Sequence, residues 1–475
     1  MRKMRISLIA LPLSAALAGC VAGPPPEIAT PTPDLPSAYY FTPDGETGAQ
    51  IAQLLPAQDR AFQDLSEAAL AGAPSLAEAV ARIEAARAGA RRSGAERLPN
   101  VSADTSVQRN RINTDQFGGP DGPANFIPAE QTSYGANLVA SWDPDIFGRL
   151  KAQERAALAR IDGASASAAA VRIALLAEIA GSVIDWRVLE ARSAALEADV
   201  LAARQLADLA RTREEAGIAP GFDRVRAEAA ASASLSRLAA LESERVRIIG
   251  RLITLTGQRA AAVNTALAQN GPDIARPPAP ASLPSELLAN RPDVAAAAAE
   301  LAATDAELAA AARARFPRLT LSAVLGFLAF DLEDLFDEDA FVYTLTGGLA
   351  GPLLDFGRIE AEIDGAAANK RVAFQAFRGA VFQALGDAET AYGLIAASDN
   401  EAMLAARERD ELERAASLAN DRYRAGLASF LEVLEARRAA DASGERAAAA
   451  LGRASRARLL LWQALGGDYS QARET

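Results

Sequence analysis

Asp145-Ile146-Phe147-Gly148-Arg149 and Leu354-Asp355-Phe356-Gly357-Arg358 decide the fold, because their Phe-Gly-Arg triplets stand 209 residues apart. Each triplet closes a short alternating segment and opens a long stretch without proline. Two further landmarks keep the same spacing. Ala216-Gly217-Ile218-Ala219 matches Ala425-Gly426-Leu427-Ala428, and Gly257 matches Gly466. A spacing held this far without a gap marks an internal duplication. Upstream it widens: Leu98-Pro99-Asn100 corresponds to Phe316-Pro317-Arg318, 218 residues on. The nine extra residues of the first half are assigned to the Gly/Pro-rich stretch 118–123, read as a loop.

Each half then reads in one order. A helix comes first, over about 75–96 and 292–315, ended by Pro99 and Pro317. Two alternating segments follow, about 101–109 and 133–143 in one half, 319–327 and 341–349 in the other. Val101, Ala103, Thr105 and Val107 share a face, as do Tyr134, Ala136, Leu138, Ala140 and Trp142. Leu319, Leu321, Ala323, Leu325 and Phe327 share another, and Phe341, Tyr343 and Leu345 oppose Thr344 and Thr346. A period of two is the strand signature. About ten residues is also the length of a tilted strand that crosses a bilayer. Alternation alone fits a half-buried soluble sheet as well.

Very long helices follow, 149–216 and 358–424, each roughly 100 Å at 1.5 Å per residue. Small and apolar residues recur along the first in steps of three and four, a coiled-coil seam running through Val171, Leu175, Ile179, Val183 and Trp186. Short breaks at 217–221 and 425–429 lead into helices over 223–256 and 430–465. Four strands cannot close a barrel, for which about eight is the smallest usual number. Strands that span a membrane would therefore have to come from several chains.

The N-terminus points the same way. Arg2, Lys3 and Arg5 precede an apolar stretch, Ile6 to Ala18, and then Leu17-Ala18-Gly19-Cys20. Charged, apolar and small-residue regions in that order make an export signal over residues 1–19. Leu-Ala-Gly-Cys resembles the bacterial lipobox, which implies acylation of Cys20. Val21 after it is consistent with sorting to the outer membrane. Residues 20–40 form a Pro-rich tether, 41–280 the first repeat and 281–475 the second.

Composition removes other classes. The net charge of −12 argues against nucleic acid as a partner. The chain holds no histidine, so Ser-His-Asp and Cys-His catalysis and His-ligated zinc are excluded. A lone cysteine forms neither an intrachain disulfide nor a cysteine metal cluster. Neither an enzyme nor a cofactor is expected, beyond a covalent lipid on Cys20.

The arrangement resembles the TolC/OprM family of outer-membrane efflux factors, in its lipoprotein (NodT-like) branch. The segment from Leu283 to Val294, with Asn290-Arg291-Pro292-Asp293 at its centre, carries the resemblance most specifically. The Phe-Gly-Arg junctions carry it too. The family implies an α+β membrane protein: a homotrimer with a 12-stranded transmembrane β-barrel, four strands per chain, continued by a periplasmic helical coiled-coil barrel. It also implies a periplasmic adaptor and an inner-membrane pump, most often of the proton-driven RND type, as partners. Outer-membrane localisation and passive, gated small-molecule efflux follow from it.

Tyr423-Arg424-Ala425-Gly426-Leu427 resembles the family's tip motif, with Gly217 as its first-half counterpart. By the same resemblance Asp223, Glu432 and Glu435 take positions where acids line a closed aperture, and Leu431 that of a constricting leucine. Glu stands for the usual Asp at two of these positions. Ala428 stands where some members have an arginine that locks the tip. The acidic loop 331–339 matches no EF-hand spacing and reads as a solvated loop. Two alternatives remain at this stage: the duct of a type I protein secretion system, and a non-spanning periplasmic coiled-coil lipoprotein.

Overall fold

The computed structural model describes residues 28–42, 50–111, 130–269, 271 and 276–469. The expected signal peptide, Cys20 and the loop at 118–123 lie outside them. The chain divides into two compact units, one holding Glu84–Asp162 and Ala299–Gln375, the other Thr32–Ile83, Gly163–Ala298 and Ala376–Thr475.

In the first unit four strands, β1 (Asn100–Arg111), β2 (Glu130–Trp142), β3 (Arg318–Ala329) and β4 (Phe341–Ala350), form one antiparallel sheet in sequence order. The register joins like to like. Val107, Tyr134 and Ala329 face one another across β1, β2 and β3; so do Ala103, Leu138, Leu325 and Tyr343 across all four strands. The other side carries Ser102, Val139, Val324 and Thr344 in one row and Ser141, Ser322 and Thr346 in another. One face is thus continuously apolar and the other largely polar, because the side-chain period of two is kept in phase over every pairing. Within the chain β1 and β4 each pair on one side only, and they are the most exposed strands.

The strand-to-helix junctions show why Phe-Gly-Arg recurs. Gly148 and Gly357 take φ of 75° and 88°, a left-handed conformation that costs glycine nothing. An aspartate caps the helix that follows at both junctions. Asp145 accepts from the amides of Leu150 (2.9 Å) and Lys151 (2.8 Å), and Asp355 from that of Ile359 (2.9 Å). These carboxylates answer the orphan N–H groups of the first turn. They begin α3 (Arg149–Glu215), which follows α1 (Arg60–Gly72) and α2 (Pro74–Ala95) in the chain. Next come α4 (Gly221–Thr256), α5 (Ala260–Leu267), α6 (Pro292–Ala312), α7 (Arg358–Arg424) and α8 (Phe430–Ala464). The helix expected over 292–315 ends at Ala312 and tightens into a 3-10 turn at Arg313–Arg315.

The second unit shows how the shorter helices are joined. Gly257 ends α4 with φ 68°, and a β-carbon there would lie 3.4 Å from the carbonyl oxygen of Gly72, just before α2. Gly466 ends α8 with φ 89°, and a β-carbon there would overlap the carbonyl of Asn290, just before α6. The two helix ends therefore abut the starts of α2 and α6, and in both halves glycine permits the approach.

Among the described residues, two helices of eight or more residues were not expected from the sequence, α1 and α5. Both lie outside the landmarks of the duplication. Ala61, Phe62, Leu65 and Ala69 give α1 a buried face at helical spacing, so it was legible there. Asp59 caps α1 through the amide of Ala61 (2.9 Å) and takes a bidentate pair from Arg187 of α3, at 2.8 and 3.0 Å. Both side chains are buried, and Arg187 also reaches Glu190 and the carbonyl of Leu267, at the end of α5. One segment of α3 is apolar enough to cross a membrane by composition, with mean hydropathy 1.7, although the sequence reading named no such helix; 61% of it is buried in the protein, as in a core helix.

Replacing Arg187 by Ala strands the Asp59 carboxylate in the core. The expected loss is about 3–5 kcal/mol of unfolding free energy, read by denaturant titration of the detergent-solubilised protein, with Arg187→Lys recovering part of it.

Candidate functional site

At the turns between α3 and α4 and between α7 and α8 the two halves repeat one device. Gly217 and Gly426 take φ of 73° and 77°. The amide of Gly217 donates to Glu214 (2.8 Å) and that of Ile218 to Arg213 (3.0 Å). Gly426 donates to Tyr423 (3.0 Å) and Leu427 to Arg422 (2.8 Å). This pair of crossed bonds satisfies the last carbonyls of a helix and reverses the chain in a few residues.

The next helices start differently. Ser429 and Glu432 form a reciprocal capping box at the start of α8, at 3.3 and 3.4 Å. Pro220 starts α4 without a side-chain cap. That tip is braced instead by Arg224, which bridges Glu214 (2.7 Å) and Glu228 (2.9 Å).

Phe430, Val433 and Leu434 turn inward and pack with Leu206, Ala207, Ala210, Ala227 and Tyr423 in a small core shared by α3, α4, α7 and α8. Leu431, Glu432 and Glu435 lie on the opposite, exposed side of α8. Asp223 is half-buried in the first turn of α4, one turn before Ala227. So the four residues stand within the first two turns of α4 and α8, beside one core. Glu432 carries a structural duty besides, since its carboxylate completes the capping box.

Tyr423 is buried, and its hydroxyl has no partner among the described residues. The guanidinium of Arg213 lies 4.3 Å from its ring centroid and donates to its backbone carbonyl at 3.1 Å. An arginine of the first tip thus clasps the tyrosine of the second, combining cation–π attraction with a charge-assisted hydrogen bond. The sequence reading missed Arg213. Arg213 sits four residues before Gly217, as Arg422 sits before Gly426.

Further along α8 an ionic cluster draws on all four helices. Arg437 bonds Asp199 of α3 (2.8 Å) and Glu413 of α7 (3.1 Å), and lies 3.1 Å from Asp441. Arg237 of α4 reaches Glu445 (3.1 Å) and lies 3.7 Å from Asp441. Asp199 and Asp441 are both buried. Burial, and then the neighbouring Asp199 carboxylate, push Asp441 up to about 7, against the pull of the two arginines. No pattern in the sequence pairs residues so far apart; the only hint is an acid on an alanine-rich face. Among the described residues no group of acids could hold a metal ion. The loop 331–339 also does more than meet solvent. Leu335 and Ala340 pack on Ala329, and Phe336 meets Phe327 edge-on.

A sheet with one apolar face, two long helices and reversed tips fit an outer-membrane channel subunit. The chain belongs to the outer membrane efflux protein family, whose model matches residues 65–258 and 283–467. It is 31% identical to the pyoverdine export outer membrane protein OpmQ of Pseudomonas aeruginosa, over 87% of this chain and 86% of that one. It is 26% identical to nodulation protein T of Rhizobium leguminosarum bv. viciae, over 99% and 95%. Among solved structures it matches the outer-membrane channel OprN with a TM-score of 0.84 and 25% identity, over 94% of this chain and 99% of that one. The fold class is that of trimeric TolC-like channels, and the protein is an outer-membrane efflux component with a periplasmic extension, not an enzyme. It works with an adaptor and an inner-membrane pump.

The raised Asp441 has a definite sign. The folded protein keeps a proton that the unfolded chain releases near pH 4, so this group makes stability fall as pH rises from about 4 to about 7. Asp441→Asn should flatten that dependence and raise the melting temperature at pH 8 relative to the parent protein, as thermal scans across pH would show.

Proposed function

We propose that three copies of this chain form a lipid-anchored conduit that passes small molecules outward without bond chemistry, closed at its periplasmic tips by Leu431, Glu432, Glu435 and Asp223. The observation that carries this reading is the sidedness of α8. Phe430, Val433 and Leu434 are committed to the tip core, while Leu431, Glu432 and Glu435 are left exposed. Three-fold repetition turns each exposed residue into a ring. Carboxylate rings in a narrow pore favour cations and respond to pH and divalent ions, and an apolar ring resists wetting. Tyr423, Gly426 and Gly217 shape the turns that hold these rings in place.

The reading extends to the ends of the chain. Residues 1–19 are a signal peptide, Cys20 carries the lipid, and 20–40 tether it to repeats at 41–280 and 281–475. Two or more acyl chains give stable anchoring, while the barrel does the spanning. The pump served is of the RND type. Relatives named for pyoverdine export and for solvent efflux support a duct that leaves the choice of cargo to the pump.

In planar bilayers, replacing Leu431, Glu432 and Glu435 together by Ala should raise single-channel conductance by roughly twofold or more. Unchanged conductance in a correctly assembled oligomer would remove them from the gate. Labelled palmitate should be incorporated by the parent protein and not by Cys20→Ala.

A further inference from the structure

Next to the tip core, α8 carries an acid whose cations do not bond it fully. Asp441 is buried, and its Oδ1 has no hydrogen-bond partner among the described residues. Arg437 Nε lies 3.1 Å from Asp441, yet this nitrogen also lacks a hydrogen-bond partner, so its N–H is not aimed at the acid. Arg237 of α4 lies 3.7 Å away and directs its hydrogen bonds to Glu445 and Ser234, each at 3.1 Å.

The partner that Asp441 does have is another acid. Asp199 of α3, buried likewise, shares a hydrogen bond with it while accepting one from Arg437 at 2.8 Å. An ionised carboxylate only accepts, so a hydrogen bond between two carboxyl groups requires a proton. Asp199 is held in its charged form by Arg437. The unbonded oxygen and the neighbouring acid both make Asp441 the protonated member.

All four helices contribute charge to this level. With Asp441 neutral, the carboxylates of Asp199, of Glu413 on α7 and of Glu445 on α8 face the guanidinium groups of Arg437 and Arg237. Ionising Asp441 adds a carboxylate without adding a cation. Its charge then opposes that of Asp199 across the contact between α3 and α8, and the hydrogen bond that joined them is gone. Moving α8 away from α3 and admitting water relieves both effects. The tip core is the next layer along these helices. Leu206 follows Asp199 by two turns on α3, and Leu434 precedes Asp441 by two turns on α8. α3 belongs to the first tip hairpin and α8 to the second. A seam that parts at Asp199 and Asp441 therefore parts the core beside Leu431, Glu432 and Glu435.

We propose that Asp199 and Asp441 are positioning residues of the conduit: they hold one proton between them, that proton keeps the two tip hairpins together, and its loss loosens the tips as pH rises. The proposal rests on the conduit reading above. Its sign follows from burial. The closed tip keeps the proton up to about pH 7, whereas a hydrated Asp441 releases it in the ordinary carboxyl range, so opening and proton release are linked.

In planar bilayers the parent oligomer should spend on the order of tenfold more time in its higher-conductance state at pH 8 than at pH 6, for one proton released per opened chain. Asp441→Asn keeps a donor for Asp199 but cannot ionise, so it should stay at the low level throughout. Asp199→Asn removes the like charge, and the rise should then begin about one pH unit lower. A merely structural role would change the melting temperature of the oligomer and leave this pH profile in place. Infrared spectra of the detergent-solubilised oligomer read the proton without gating. The parent should show a protonated-carboxyl band at pH 6 that fades by pH 8 and is missing from Asp441→Asn. A parent conductance that does not change with pH, an equal rise in Asp441→Asn, or a parent without the band overturns the proposal. Assembled oligomers that form no channel at any pH overturn the conduit reading instead.

Discussion

A strand in hydrocarbon has no water to satisfy its backbone, so every N–H and C=O must find a partner in another strand. This constraint organises the protein. Among the described residues only β2 and β3 are paired on both sides; β1 and β4 each keep an open edge. The sheet also offers a continuous apolar face that water would not tolerate. A four-stranded sheet of this kind is an arc of a closed structure. The long helices and their tips continue from an element that is completed only in an assembly.

Duplication lets one set of solutions serve twice, and the departures from it are as informative as the repeats. Positive-φ glycines recur at both junctions, both tips and both helix ends, because close backbone approach and chain reversal recur there. The ionic pins do not recur. Arg187 fixes the first half through Asp59. Arg291 fixes the second by bonding Asp293, Asp387 and the carbonyl of Ala464, where α8 ends. The Arg-Pro-Asp motif, the most specific mark in the sequence, is therefore a structural clamp. The tips differ likewise: a capping box starts α8, whereas an Arg224 bridge supports α4. Divergence has gone into side chains that pin, while the backbone plan is held.

The helical region owes its character to alanine. Small side chains allow close helix approach but bury little apolar area per residue, so packing alone specifies register weakly. Buried charges supply what it lacks. Arg437, Asp199, Asp441, Arg237 and Glu413 bring four helices to one level of the bundle, a contact that a shifted helix would break. Burying charged groups carries a desolvation cost, and the rise at Asp441 follows from it. Arg213 over Tyr423 likewise joins the two halves at the tip.

The sequence by itself determined the duplication, the strand faces, the length of α3 and α7 and the places where the chain reverses. These are local or periodic properties, written in every second or every third and fourth residue and punctuated by Gly and Pro. It also singled out Asp223, Leu431, Glu432 and Glu435 as candidates, through resemblance to the family's tip. Only the tertiary structure decided which charges meet. Asp59 with Arg187, Arg213 with Tyr423 and Arg437 with Asp199 are pairs more than a hundred residues apart, and no period links them. The structure also decided that Glu432 closes a capping box and that Phe147 stacks on Phe316 while Phe356 is 91% exposed. Such facts depend on which surfaces one chain can cover for itself, and that is settled only when the helices and strands have packed.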